Sequence, residues 1–228
     1  METAAGFLAL AAALLAAAVA ILRANARDRA VRRAILADCS DVLEAAETSV
    51  ARSGYGVLRG VHRGRRAALT PIADALAFRK LPQLWLAATL LEQNDGRPSI
   101  EIIRRPGDAD AFTGGAGLPL SVRPPAEWPQ DTSVRVSPGA LALLGSLGPV
   151  LAEALADDRL KAITVSPRGV RIVRQAAQGL RGSYVLFRET RFDEARVDPS
   201  TARAALDLAA AIADHVQAHD QADLHEAA

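Results

Sequence analysis

The chain opens with an apolar run that is followed at once by a group of arginines. Residues Thr3 to Leu22 include no charged side chain and no proline. An α-helix of that length rises about 30 Å, which matches the hydrocarbon thickness of a bilayer. The pattern therefore predicts a transmembrane anchor over residues 3–22.

The arginines after the apolar run predict its orientation. No lysine or arginine precedes the run, and those that follow it closely are Arg23, Arg27, Arg29, Arg32 and Arg33. Positive residues near a membrane span stay in the cytoplasm. We expect an uncleaved signal-anchor that crosses the inner membrane once, with the N-terminus outside and the domain in the cytoplasm.

A cleaved signal peptide is the alternative reading of the same segment. Ala24-Asn25-Ala26 has the small-x-small pattern of a cleavage site, and cleavage would leave an envelope domain in the periplasm. The start of the chain carries Glu2 and no base, however, and the apolar core is longer than a signal requires. The anchor is therefore favoured.

A second apolar pattern has helical spacing. It predicts a helix over Asp28–Val50, so that residues 23–50 form a basic neck and an amphipathic helix. The stripe is Val31, Ile35, Cys39, Val42, Ala46 and Val50. Because Cys39 lies on this stripe, we interpret it as a small core residue and not as a reactive thiol.

Residues 51–105 form a first, strand-rich half. Tyr55–Val61 and Arg66–Ile72 are β-leaning runs around a glycine-containing turn, which predicts a hairpin. Further strands are predicted at Leu84–Leu91 and Ser99–Arg104.

The rest of the chain divides into a Pro/Gly-rich connection, a second half and a polar tail, over residues 106–132, 133–218 and 219–228. The second half predicts a helix interrupted at Pro149, a hairpin, a strand and a last helix, at 139–156, 160–174, 182–190 and 198–218. The connection itself includes a short strand at Leu120–Val122. Helices segregated from strands predict an α+β fold, in which a transmembrane helix precedes a soluble domain of antiparallel strands with packing helices.

Composition excludes several classes of protein. The formal net charge is +1, so we expect no nucleic-acid partner. Cys39 is the one cysteine, which excludes an internal disulfide and a multi-cysteine zinc site. No nucleophile elbow, dinucleotide fingerprint or phosphate-binding loop is present, so the sequence favours a non-enzyme without a cofactor.

Parts of the sequence resemble uncharacterised bacterial membrane-anchored proteins. The similar segments are Gly56–Gly60, His62–Arg65, Phe78–Pro82 with Leu84–Leu86, and Leu160–Ile172 with its Val165-Ser166-Pro167-Arg168-Gly169-Val170 core. The resemblance covers about half of the chain. It implies an anchored α+β domain and supplies no catalytic residues.

The first predicted hairpin concentrates positive charge. Its arginines are Arg59, Arg63, Arg65 and Arg66, beside His62. Held close to an anionic leaflet, they would contact lipid headgroups, at about 1 kcal/mol for each base near the surface. The competing interpretation is a solvated turn, because no aromatic residues alternate with the arginines.

His215 and His219 are a weak candidate for a metal site. They are four residues apart and share one face of the last predicted helix. The glutamate of a metalloprotease helix is missing, and the pair adjoins the polar tail, so we expect no bound metal.

These observations favour a membrane-anchored protein of unknown function whose domain binds a protein partner or the anionic membrane surface. The alternative is an unrecognised enzyme that uses the 106–128 loop, where Asp108, Asp110 and Glu127 are the titratable residues.

Overall fold

One long helix and one antiparallel sheet dominate the architecture. The computed structural model describes residues 2–74, 81–106, 117–181, 192 and 196–226. The helices are α1 (Glu2–Arg33), α2 (Leu141–Ser146), α3 (Gly148–Leu155) and α4 (Pro199–Glu226), with a short 3-10 helix at Ala37–Val42. The strands are β1 (Glu44–Val50), β2 (Gly56–His62), β3 (Arg65–Asp74), β4 (Gln83–Leu91), β5 (Ile100–Arg104), β6 (Leu120–Val122), β7 (Thr132–Val136), β8 (Leu160–Ser166) and β9 (Gly169–Gln178).

Within the described residues these strands form a single nine-stranded sheet. Their order is β1-β2-β3-β4-β9-β8-β5-β7-β6, and every neighbouring pair is antiparallel. The α+β prediction is confirmed, because one N-terminal apolar helix precedes an antiparallel sheet with packing helices.

The helices cover one face of this sheet. Helix α4 lies across β4 and β9 at its centre, and its buried side chains are mostly alanines, which let a helix approach a sheet closely. The same core includes Leu143 of α2, Leu151 and Leu155 of α3, and Leu147 between the two helices. Every second side chain along a strand points to the opposite face of the sheet. A second, smaller cluster on that face consists of Trp85, Ala87, Ile103, Ala162 and Val173.

The predicted helix over Asp28–Val50 is wrong beyond Arg33. Helix α1 ends there, the 3-10 helix follows, and Glu44–Val50 forms strand β1 paired with β2. The apolar stripe enters the core only as far as Val42, and every residue of β1 is exposed. The helical spacing of Ala46 and Val50 is a coincidence. The segment is a strand, because the backbone of β1 forms its hydrogen bonds with β2 and not within a helix.

The other elements mostly follow the predicted pattern, and the main differences are of extent. The 139–156 helix is split into α2 and α3, and Pro149 lies in the first turn of α3. Helix α4 continues to Glu226, beyond the predicted end near 218, and Asp220 near its end is fixed by Arg97. The predicted strand over 182–190 lies outside the described residues.

Candidate functional site

Helix α1 enters the domain through a joint that leaves little freedom. Ile35 and Leu36, directly after the helix, are buried in the core. The Ile35 carbonyl accepts a hydrogen bond from the Val197 amide at 2.8 Å, next to the start of α4. Asp38 forms an ion pair with Arg196. The helix is therefore tied to the segment before α4 and is not joined by a flexible tether.

The end of α1 also rests against the start of β2. A side chain at Gly56 would collide with the carbonyl oxygen of Arg33, so this close approach requires glycine. One residue away, the Arg32 guanidinium lies 5.8 Å from the centre of the Tyr55 ring, in a cation–π contact. Together these contacts hold the helix axis against the β1–β2 end of the sheet.

Cys39 belongs to the same joint and is chemically quiet. It is fully buried, and its thiol donates a hydrogen bond to the Val197 carbonyl, with 3.4 Å between sulfur and oxygen. Burial, with smaller effects of the Asp38 and Asp198 charges, raises the pKa of Cys39 to about 11. At neutral pH the reactive thiolate is therefore scarce, which agrees with the predicted core role.

A polar cleft of about 620 Å³ adjoins the joint. Charged side chains of both signs line it, namely Asp38, Arg159, Arg196 and Asp198. Asp198 accepts a hydrogen bond from the Ser200 amide at 2.7 Å, and this bond lowers the pKa of its carboxyl. Because Asp198 caps the first turn of α4, that helix end is already satisfied from within the chain.

The arginines of the neck lie on the surface of α1 without a carboxylate partner among the described residues. Arg23, Arg27, Arg29, Arg32 and Arg33 are all exposed. In the part of the chain that the structure describes, none of them forms an ion pair, and Arg29 bonds only to the Asn25 carbonyl. Their charges are available to an external anion.

The hairpin arginines divide between the two faces of the sheet. On the helix-covered face, Asp207 of α4 lies 3.1 Å from His62 and 2.9 Å from Arg63. Asp214, two helical turns further along α4, lies 2.6 Å from Arg65. Acidic residues of α4 therefore offset much of the positive charge that the hairpin carries in sequence.

Arg59 and Arg66 project from the opposite face, on which the described residues form no helix and which we call the helix-free face. Both are exposed, and Arg59 donates a hydrogen bond to the Ser49 hydroxyl at 2.6 Å. They occupy diagonal positions on β2 and β3, since Arg59 is opposite Ala68 and Arg66 is opposite Val61. The four arginines predicted as one lipid contact are thus two separate pairs.

Among the residues that the structure describes, the two histidines of α4 belong to no group that could hold a metal ion. His215 and His219 are both half-buried. Across the described residues, no group of three or more His, Cys, Asp or Glu side chains is placed to hold a metal ion. The nearby carboxylate of Asp220 is instead engaged by Arg97 and by Asn94.

A buried ion-pair cluster, which sequence analysis did not predict, fixes the C-terminal half of α4. Arg97 is 5% exposed and lies 3.2 Å from Glu92 and 3.4 Å from Asp220. The amide of Asn94 donates a hydrogen bond to the same Asp220 carboxylate at 3.1 Å. This cluster connects the β4–β5 loop to a helix more than a hundred residues away, which explains why α4 extends beyond its predicted end.

The proposed loop site is described only in part. Asp108 and Asp110 lie outside the described residues, and Glu127 is exposed. Trp128, at the end of the loop, is buried in the main core.

Comparisons with protein-family models, with curated proteins and with solved structures gave no match to the chain.

Proposed function

We propose that this chain is a single-pass inner-membrane protein that holds an α+β interaction domain at the cytoplasmic surface, where the domain contacts anionic headgroups or a protein partner. The observation that carries the proposal is the contrast within α1. One end of the helix is fixed to the domain, while no residue in its most apolar window is buried.

The exposed apolar surface of α1 favours lipid over water. Phe7, Leu15 and Leu22 are exposed on a helix that is apolar on all sides. Burying one such side chain is worth about 1.5–3 kcal/mol, so a bilayer would stabilise the helix by many times that amount. This helix is long and apolar enough to span a membrane.

The rigid joint supports a fixed position for the domain. Helix α1 continues without a break from Arg23 to Arg33, a rise of about 15 Å beyond the apolar run. The headgroup layer is about 5–8 Å thick on each side. Neck arginines would therefore lie in and just above the headgroups, with the β1–β2 end of the sheet directly behind them.

Membrane extraction tests the anchor. We expect the full chain to remain in the membrane pellet after alkaline carbonate and to be released only by detergent, because its apolar helix is inserted. A chain beginning at Asp28 should be soluble, with mixed helix and strand in its circular dichroism spectrum. Release of the full chain by carbonate, or a mature mass that lacks the first residues, would favour the periplasmic alternative.

Vesicle flotation tests the lipid contact. We expect the chain beginning at Asp28 to float with phosphatidylglycerol vesicles and to detach as salt rises, since exposed charges are screened over about 10 Å at 0.1 M. Replacing Arg29, Arg32 and Arg33 by glutamine should abolish the binding. The matched control replaces Arg63 and Arg65, which already pair with α4, and should float like the parent.

The flotation result also separates the remaining alternatives. Loss of binding in an Arg59→Gln/Arg66→Gln variant would place the helix-free face on the membrane. Equal binding to phosphatidylcholine vesicles would contradict the electrostatic contact. No binding to either vesicle would leave a protein partner as the ligand of the domain.

A further inference from the structure

A row of polar side chains crosses the helix-free face of the sheet. Direct cross-strand pairs join Glu101 to Thr164, Thr164 to Arg171, and Arg171 to Thr89. The row thus runs from β5 through β8 and β9 to β4. Residues on either side of each member point into the helix-covered core, so the members of the row share one face.

Among the described arginines that are not exposed, Arg171 is the exception. Arg65, Arg97, Arg104 and Arg174 each lie within ion-pair distance of a carboxylate. Among the described residues, Arg171 has no such partner and forms no hydrogen bond, and its Nε atom is buried. Burial lowers the pKa of its guanidinium. A desolvated charge without a partner is unfavourable, which calls for a compensating ligand.

The side chains flanking Arg171 add hydrogen-bond donors. Thr89 and Thr164, on the two neighbouring strands, are half-buried, and neither hydroxyl has a partner in the described structure. A guanidinium offers donors in a planar fork, and hydroxyls can also donate to an oxygen acceptor. Donors without a matching acceptor, grouped around one positive charge, fit an oxyanion.

The other charges on this face leave the position of Arg171 positive. Glu101 lies two strands away, about 10 Å at sheet spacing, and is directly opposite Arg135. On the other side, Arg66 lies on β3 across from Leu91, which neighbours Thr89 on β4. Arg59 continues the row on β2, where it is opposite Glu47 of β1. Among the described residues, Glu101 and Glu47 are therefore each opposite another arginine in the strand register.

We infer that Arg171, with the hydroxyls of Thr89 and Thr164, binds a phosphate group on the helix-free face of the sheet. The shared chemistry is a phosphate oxyanion, either free or carried by a lipid headgroup. This site lies on the sheet and not at the anchor joint, so its failure would leave the proposed membrane anchoring untouched.

Thermal unfolding of the detergent-solubilised full chain tests the site. Inorganic phosphate at about ten times its dissociation constant should raise the midpoint by about 3 °C over chloride of equal ionic strength. An Arg171→Met variant should lose this rise, and its midpoint without phosphate should equal or exceed that of the parent, because an unpaired charge has been removed. The control, Arg168→Met in the exposed β8–β9 turn, should keep the full rise.

Two results would overturn the inference. One is an equal rise with phosphate in the parent and in Arg171→Met; the other is no rise in the parent at any phosphate concentration in either detergent or nanodiscs. Nanodiscs distinguish the source of the phosphate. If phosphatidylglycerol nanodiscs without added phosphate raise the unfolding midpoint above that in phosphatidylcholine nanodiscs, and the rise depends on Arg171, the ligand is a headgroup. If the midpoint rises in the same nanodiscs only after phosphate is added, the ligand is free phosphate.

Discussion

A Glu92→Gln/Asp220→Asn variant is expected to lose about 3 kcal/mol of unfolding free energy, because it leaves the Arg97 guanidinium buried without a counter-charge. The side chain of Arg97 is 2% exposed, so water cannot replace the carboxylates. For a chain of this size the midpoint of thermal unfolding should fall by roughly 6–12 °C.

The matched control removes a carboxylate from an exposed pair. Asp214→Asn breaks the pair with Arg65, whose partner carboxylate is largely in solvent, and should cost less than about 1 kcal/mol. Replacing Arg97 itself by methionine should cost less than the double variant, since Glu92 and Asp220 are partly exposed and can rehydrate. If the double variant unfolded at the temperature of Asp214→Asn, the cluster would not hold the end of α4.

The strands were predictable because their signals are local. Tyr55–Val61 and Arg66–Ile72 alternate around a turn with glycine at position 64, and the structure places β2 and β3 there. The long apolar run at Leu84–Leu91 becomes β4 at the centre of the sheet, where both of its faces are largely buried. Such patterns depend on the period of the side chains and require no knowledge of partners.

The segment after α1 was not predictable because two periods agree with it. Spacings of three and four between Ile35, Cys39 and Val42 fit both a long helix and a short 3-10 turn that packs on the core. Tertiary contacts decide between these two structures. The Ile35 carbonyl is bonded to Val197, and Gly56 admits the backbone of Arg33, so the helix ends at this contact.

The candidate sites depended on register and on distant contacts. Sequence placed Arg59, Arg63, Arg65 and Arg66 in one cluster, whereas alternation along β2 and β3 separates them between two faces. Arg171 could not be recognised from the sequence, because half of its environment comes from Thr89 on β4, which is far away along the chain. Unpartnered polarity of this kind becomes visible only when every neighbouring side chain has been located.

Because α1 is fixed to the domain, the orientation of the helix also determines the orientation of the domain. A tethered domain could reach the membrane with many surfaces, but a helix fixed at Arg33, Ile35 and Asp38 presents one end of the sheet. If the orientation of α1 were reversed, that end would face the periplasm. Topology is thus the property on which the location of both candidate surfaces depends.

Replacing Arg23, Arg27, Arg29, Arg32 and Arg33 by glutamine is expected to convert one orientation into a mixture of two, because no other lysine or arginine lies close to either end of the span. A C-terminal reporter that is active only in the cytoplasm should be bright on the parent chain and should lose much of its signal on the variant. A periplasm-specific reporter should change in the opposite sense.

The control replaces Arg59, Arg63, Arg65, Arg66 and Arg168, which lie beyond the 15–20 residues over which the rule acts, and should keep the orientation of the parent. Periplasmic signal from the parent chain would contradict the cytoplasmic assignment, while an unchanged cytoplasmic signal from the neck variant would mean that the folded domain, and not the arginines of α1, determines which side it occupies.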